Sequence, residues 1–161
     1  MQYSIPDFEK KIIVPENLAE VLKNAPKPLV FTNGCFDILH RGHVTYLAQA
    51  KNLGKCLLVA LNTDESVRAQ GKGDDRPINS LEYRMAVIAS LGMVDYVTYF
   101  NNDTPLDLIL KVVPDILVKG GDWSISQIVG SQEVLAWGGS VYSIPFLYNT
   151  STTALIKQIR H

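Results

Sequence analysis

VFTNGCFDILHRGHVTYL, residues 30–47, passes from an apolar run through a short polar turn into a helical period. Its first part, with Pro28 and Leu29 before it, has the length and β-branched content of a buried strand. From His43 to Leu53 the apolar residues Val44, Leu47, Ala48 and Ala50 cluster on one helical face, with Gly54 beyond the end. The same alternation then repeats downstream. KCLLVALN, DYVTYF, DILVKGG and SVYSIPF read as further strands. SLEYRMAVIASLG, TPLDLILKVV, SQEVLAWGG and STTALIKQIR read as helices. Asn79 and Glu82 stand at capping-box spacing, and Thr104, Pro105 and Asp107 form a helix-start signal. Short continuous apolar strands alternating with helices predict an α/β fold, a Rossmann-like doubly wound parallel five-stranded sheet with helices on both faces.

Residues 1–27 read as an N-terminal arm carrying a short helix in ENLAEVLKN, and residues 28–161 as the main domain. Of the 161 residues 47% are hydrophobic and 19% charged, which favours a folded chain over a disordered one. The net charge of −1 offers no basic field for nucleic acid, so an anionic ligand must be held by local charge. MQYSIPDFEKK lacks the order of a signal peptide, and no apolar run approaches membrane-spanning length. Cys35 and Cys56 stand apart with no C-x-x-C pair, so a cytoplasmic protein without a membrane partner is expected.

In a doubly wound sheet ligands bind beyond the carboxyl ends of the strands, at the switch in strand order. That rim holds residues 33–43, 62–64, 119–123 and 149–153. If a helix begins near His40 or Arg41, both imidazoles of HRGH lie in its first turn, three residues apart. A helix N-terminus attracts phosphate, and Gly42 removes a side chain so that a ligand can approach the backbone. Two ring N–H groups there can donate to phosphate oxygens as charge builds in a transition state. The other readings are two ordinary histidines, or a zinc site from Cys35, Asp37, His40 and His43, whose spacing matches no common zinc pattern.

The rest of the rim is basic or hydroxyl-rich. GKGDDRP, residues 71–77, carries Lys72 and Arg76 and is expected to act as a mobile cover, with Arg84 on the helix that follows. Lys119, Gly120, Gly121 and Asp122 end the fourth strand. Trp123 is a candidate to stack on a base, and the hydroxyls of residues 150–153 can face phosphate or simply cap their helix. There is no Ser–His–Asp set, P-loop or acidic metal cage. What remains suits nucleotidyl transfer, where a substrate phosphate attacks the α-phosphorus of a nucleoside triphosphate. Such a phosphate, with a second pKa of about 6, needs no strong base. The protein then aligns and stabilises charge.

TNGCFDILHRGH resembles the first signature of the nucleotidyltransferase superfamily with the H-x-G-H motif, and STTALI resembles its second. The resemblance runs from about Pro28 to Arg160. Within it, GKGDDRPIN, TPLDLI, DILVKGGDW and STTALI look most like the D-glycero-β-D-manno-heptose 1-phosphate adenylyltransferases in their stand-alone form. These make ADP-heptose and pyrophosphate from ATP and the sugar phosphate, for lipopolysaccharide or related glycans. The resemblance implies ATP, heptose 1-phosphate and Mg²⁺ carried by the ATP phosphates, with no metal ligand from the protein. His40, His43 and Lys72 would be catalytic. Thr32, Asn33, Gly34, Phe36, Asp37, Gly42, Arg76 and Arg84 would bind nucleotide, with Lys119, Gly120, Asp122, Trp123, Ser151 and Thr152. A homodimer is the family-based expectation, with a separate kinase supplying the sugar phosphate. The alternatives are a cytidylyltransferase for glycerol 3-phosphate or a similar small alcohol phosphate, and a non-catalytic nucleotide sensor. The glycerol-phosphate enzymes carry an arginine before the last signature where Phe146 or Leu147 stands here.

Overall fold

A computed structural model describes residues 4–71, 75–148 and 150–159. Lys72 and the glycine at position 73 therefore lie outside the described residues, as does Asn149. The strands are β1 (Leu29–Gly34), β2 (Cys56–Asn62), β3 (Tyr96–Phe100), β4 (Ile116–Gly120) and β5 (Ser140–Ile144). The helices are α1 (Leu18–Leu22), α2 (Arg41–Lys51), α3 (Asp64–Ala69), α4 (Leu81–Ala89), α5 (Leu106–Val112), α6 (Ser131–Ala136) and α7 (Thr152–Ile159). All strand pairs are parallel, in the order β3-β2-β1-β4-β5. The chain leaves β1 in one direction and returns to its other side with β4. Their carboxyl ends therefore flank the switch in strand order, where such sheets open a crevice.

Period-two alternation sorts the strand residues onto two cores. Phe31, Leu58, Ala60 and Leu117 face α1, α5 and α6, and meet Leu18, Ile109 and Val134. Val30, Val59, Leu61 and Val118 face α2 and α4, and meet Leu47, Ala50 and Ile88. Every residue of β2 is buried, which is why it reads as an unbroken apolar run. The N-terminal segment joins these cores. Leu18 and Leu22, one helical turn apart, are buried against the first, and the Ile13 amide donates to the Val97 carbonyl at the outer edge of β3 (2.8 Å).

Some local expectations change. α2 begins at Arg41 and ends at Lys51, and it buries Tyr46 where Val44 was expected, Val44 being exposed. Tyr46 turns inward because its hydroxyl reaches Thr32 and the Val118 carbonyl on the sheet. The Asn79–Glu82 capping box does not form, because Ser80 is the N-cap and Asn79 bonds to Asp37. Helix α3 was not anticipated. Its polar sequence shows no apolar stripe, and it is started by Thr63, whose hydroxyl accepts from the Ser66 amide (3.2 Å).

Gly54 marks the tightest backbone approach. A Cβ there would lie 2.5 Å from the Pro28 carbonyl oxygen and 2.6 Å from Val30. Gly54→Ala is therefore expected to lower stability by about 1–3 kcal/mol, read as the urea midpoint. An unchanged midpoint would show that the turn yields freely.

Candidate active site

β1 ends at Gly34, and the chain turns through Phe36, whose φ of 48° lies in the left-handed region that side chains avoid. A Cβ on Gly34 would come 2.9 Å from the Phe36 ring, so glycine lets that ring fold back over the strand end. There the ring meets His43 edge-on, with centroids 5.3 Å apart. His40 is the extended N-cap of α2, and its ring stacks on His43 with centroids 3.7 Å apart and planes at 22°. Gly42 makes this possible, because a Cβ would press to 3.1 Å on the His40 ring and 3.5 Å on Thr150. The space expected for a ligand is thus partly taken by His40 itself.

Nδ1 of both histidines is buried without a hydrogen-bond partner. Burial above all, then the neighbouring His40, pushes His43 down to about 4, while the Ile38 backbone pulls the other way. Burial also lowers His40. Both rings are therefore neutral near pH 7 and can each offer one N–H to an anion. In the free protein His43 is expected to show no protonation by NMR until the pH nears 4. Its folded value lies below the ordinary 6.5, so its contribution to stability is complete above 6.5 and is lost as pH falls through about 4. A midpoint near 6.5 in the folded protein would contradict this environment.

A second helix start lies beside the first. The Ser151 hydroxyl accepts from the Ala154 amide (3.1 Å), and the Thr152 hydroxyl donates to the Ile38 carbonyl (3.2 Å). Ser151 is thus an N-cap, and what α7 presents to an anion is its positive end rather than that hydroxyl. Arg41 stacks on Tyr148 at 3.8 Å from the ring centroid.

Several of the residues expected to contact nucleotide are bonded within the scaffold. Asp37 is 3% exposed and accepts from Arg76 Nε (2.6 Å), the Ile78 amide (2.9 Å) and the Asn79 amide (2.9 Å). It ties the polar loop to the rim, and Arg76 is committed to it rather than extended towards a phosphate. Arg84, 1% exposed, donates to the carbonyls of Asn79, Cys35 and Asn62 and to the Asp64 carboxylate. It fastens the ends of β1 and β2 together. Thr32 is fully buried, and its hydroxyl meets that of Tyr46, which donates onward to the Val118 carbonyl (3.2 Å). Burial raises the Tyr46 phenol, so it stays neutral. A Cβ on Gly120 would lie 2.9 Å from Phe146, so that glycine makes room for an aromatic ring.

Two cavities meet at the switch point. The smaller, about 160 Å³, is lined by Phe36, His43, Tyr46, Gly120 and Phe146. The larger, about 440 Å³, runs towards the ends of β2 and β3, past Asn62, Gln70, Phe100, Asp103 and Trp123. Asn33, Gly34, Cys35 and Lys119 line both. The structure therefore gathers His43, Asn33, Gly34, Phe36, Lys119 and Gly120 around the smaller space, with His40 stacked behind His43 and Gly42 against the His40 ring. Trp123 lies on the larger one, and Asp122 is exposed beside it. Gln70, Asp103 and Gln127 of the larger cavity were missed by sequence reasoning. Asp103 follows β3, whereas Gln70 closes α3 and Gln127 ends a short 3-10 helix, so no common spacing marked them. Among the described residues no group of three His, Cys, Asp or Glu side chains is placed to hold a metal ion. Among them, too, no helix is long and apolar enough to cross a membrane.

Residues 31–157 match the cytidylyltransferase-like family. A D-β-D-heptose 1-phosphate adenylyltransferase of Bordetella bronchiseptica is 53% identical, over 95% of this chain and 96% of that protein. The bifunctional protein HldE of a Marinomonas species is 49% identical over 91% of this chain, which spans 31% of that longer protein. Among solved structures, a lipopolysaccharide core biosynthesis protein from Thermoplasma volcanium superposes with a TM-score of 0.63 at 29% identity. It covers 76% of this chain and 98% of its own. Pantothenate synthetase from Thermus thermophilus shares the fold, with a TM-score of 0.61 at 16% identity over 91% of this chain and 70% of its own.

Proposed function

The chain belongs to the cytidylyltransferase-like family, and from that premise we propose that it transfers AMP from ATP to D-glycero-β-D-manno-heptose 1-phosphate. An oxygen of the sugar phosphate attacks the α-phosphorus of ATP. A new P–O bond forms, the bond from the α-phosphorus to the bridging oxygen breaks, and pyrophosphate leaves with the electron pair. The products are ADP-heptose and pyrophosphate. The acceptor phosphate is largely a dianion near neutral pH, with a second pKa of about 6, so the absence of an obvious base is no obstacle.

The observation that carries this reading is the stacked histidine pair at the start of α2, both rings neutral and with an unpartnered buried Nδ1. The triphosphate would lie across the starts of α2 and α7, where helix ends and ring N–H groups point at oxygen. Anion binding would raise the histidine pKa values and strengthen the bonds they donate. The rings then serve to hold charge that moves onto the departing oxygens. Lys72 is proposed to act with them. Mg²⁺ fits as an ion carried in on the triphosphate, since among the described residues the histidine pair supplies nitrogen donors and no carboxylate cluster stands ready to hold a metal. When bound, it would neutralise charge on the phosphate oxygens. A cytoplasmic place follows from the ATP requirement.

Pyrophosphate release tests the reading, with ATP or CTP offered against heptose 1-phosphate or glycerol 3-phosphate in the presence of Mg²⁺. ATP with heptose 1-phosphate should react fastest. A preference for CTP with glycerol 3-phosphate would replace the activity with the cytidylyltransferase one. Nucleotide binding without release under any pairing would leave a sensor.

A further inference from the structure

The structure assigns Tyr46 as a positioning residue for the transfer, a pin that sets where the first turn of α2 holds His43 at the mouth of the crevice. This rests on the phosphoryl chemistry proposed above. β1 and β4 are paired from Val30 with Ile116 to Thr32 with Val118. Beyond that last pair they part. Asn33 and Gly34 run on beside Ala60 and Leu61 of β2, and Lys119 and Gly120 beside Ser143 and Ile144 of β5. Those continuing residues of β1 and β4 line the smaller cavity together with His43 and Tyr46. The crevice therefore opens at the fork above Thr32 and Val118, and the Tyr46 hydroxyl bonds to both.

The direction of these bonds follows from what each atom can do. A carbonyl only accepts, so the Tyr46 proton goes to Val118 (3.2 Å) and the Thr32 hydroxyl donates to the Tyr46 oxygen. One side chain of α2 is thus tied to both members of the last β1–β4 pair. The phenol is 4% exposed, so water does not compete for either bond. On the crevice side the Tyr46 ring meets Phe146 edge-on, with centroids 6.0 Å apart. A Cβ on Gly120 would lie 3.2 Å from the Tyr46 ring, so that glycine lets both aromatic rings close over the end of β4.

Apolar packing alone would not fix the place of the helix. Leu47 and Ala50 bury the same face of α2, but that attraction is non-directional. Hydrogen bonds hold within narrow limits of length and angle. At the far end of α2, Lys51 pairs with Asp95. At the near end Tyr46 stands three residues beyond His43, on the same side of the helix. A slide or roll of α2 that broke the Tyr46 bonds would carry His43 off the Phe36 ring, which it meets at 5.3 Å. Misplacing a catalytic group by about 1 Å can lower a rate by up to about 10²-fold.

The test uses Tyr46→Phe, the double variant Tyr46→Phe with Thr32→Val, and Lys51→Met as a control at the far end of the same helix. Each full chain is read by kcat, by KM for ATP and for heptose 1-phosphate, by Tm, and by NOEs between the His43 and Phe36 rings. Tyr46→Phe should lower kcat roughly tenfold and weaken those NOEs, with either KM within about twofold of native. Its Tm should also fall, because the Thr32 hydroxyl is left buried without a partner. Adding Thr32→Val removes that orphan and should restore most of the Tm, while kcat stays low. Recovery of kcat together with Tm would make Tyr46 a packing residue and overturn the proposal, as would native kcat and NOEs in Tyr46→Phe. Lys51→Met should lower Tm and leave kcat unchanged. An equal loss of kcat there would mean that any loosening of α2 suffices, which also overturns it. If the native chain makes no sugar nucleotide, the assigned activity fails. The NOEs of the same variants still decide whether Tyr46 places the histidine, because they need no turnover.

Discussion

Replacing His43 by alanine is expected to lower kcat by roughly 10²–10³-fold, the usual effect of removing one donor to transition-state charge. The ring stands in the first turn of α2, stacked on His40 and edge-on to Phe36. KM for ATP should change much less than kcat, since the bond strengthens as negative charge gathers on the leaving oxygens. Thermal unfolding of the variant separates this from damage to the stack. Turnover near the native rate in a folded His43→Ala chain would make the histidine a packing residue.

Arg84→Met is expected to cost about 3–5 kcal/mol of stability, the usual result of breaking a buried ion pair from one side. The guanidinium donates to three carbonyls at 2.7 to 3.0 Å and to Asp64 at 2.7 Å. Its removal leaves those carbonyls without their donor and Asp64 without its cation. Because whole domains are stable by only about 5–15 kcal/mol, the shift in a urea transition would be large. Arg84→Lys should recover little, as a lysine cannot reach several acceptors in one plane. A fully stable Arg84→Met chain that has lost affinity for ATP would restore the phosphate role that sequence reasoning gave this residue.

The difference over Arg84 shows where sequence patterns stop. The five strands and their flanking helices were legible because continuous apolar runs such as CLLVALN have few other ways to be buried. The rim followed from topology, and the histidine pair from its place at a helix start. What a charged side chain bonds to was not legible. Arg76 and Asp37 are 39 residues apart in the chain, and nothing local announces that they neutralise one another. Thr32 looked available on a strand end, yet Tyr46, one face of the next helix, takes its hydroxyl. The larger cavity was hidden for a related reason. Its Gln70, Asp103 and Gln127 come from separate segments and carry no spacing, so only the folded sheet brings them together.

The central claim is that an acceptor phosphate attacks the α-phosphorus of ATP beside His40 and His43. Phosphorus NMR of one reaction, containing the chain, ATP, heptose 1-phosphate and Mg²⁺, reads which phosphorus bond breaks. The account predicts that pyrophosphate and a new sugar-linked diphosphate grow together, in equal amounts, as ATP and the sugar phosphate disappear. Formation of ADP, with inorganic phosphate or a doubly phosphorylated sugar beside it, would mean attack at the γ-phosphorus and would contradict the account.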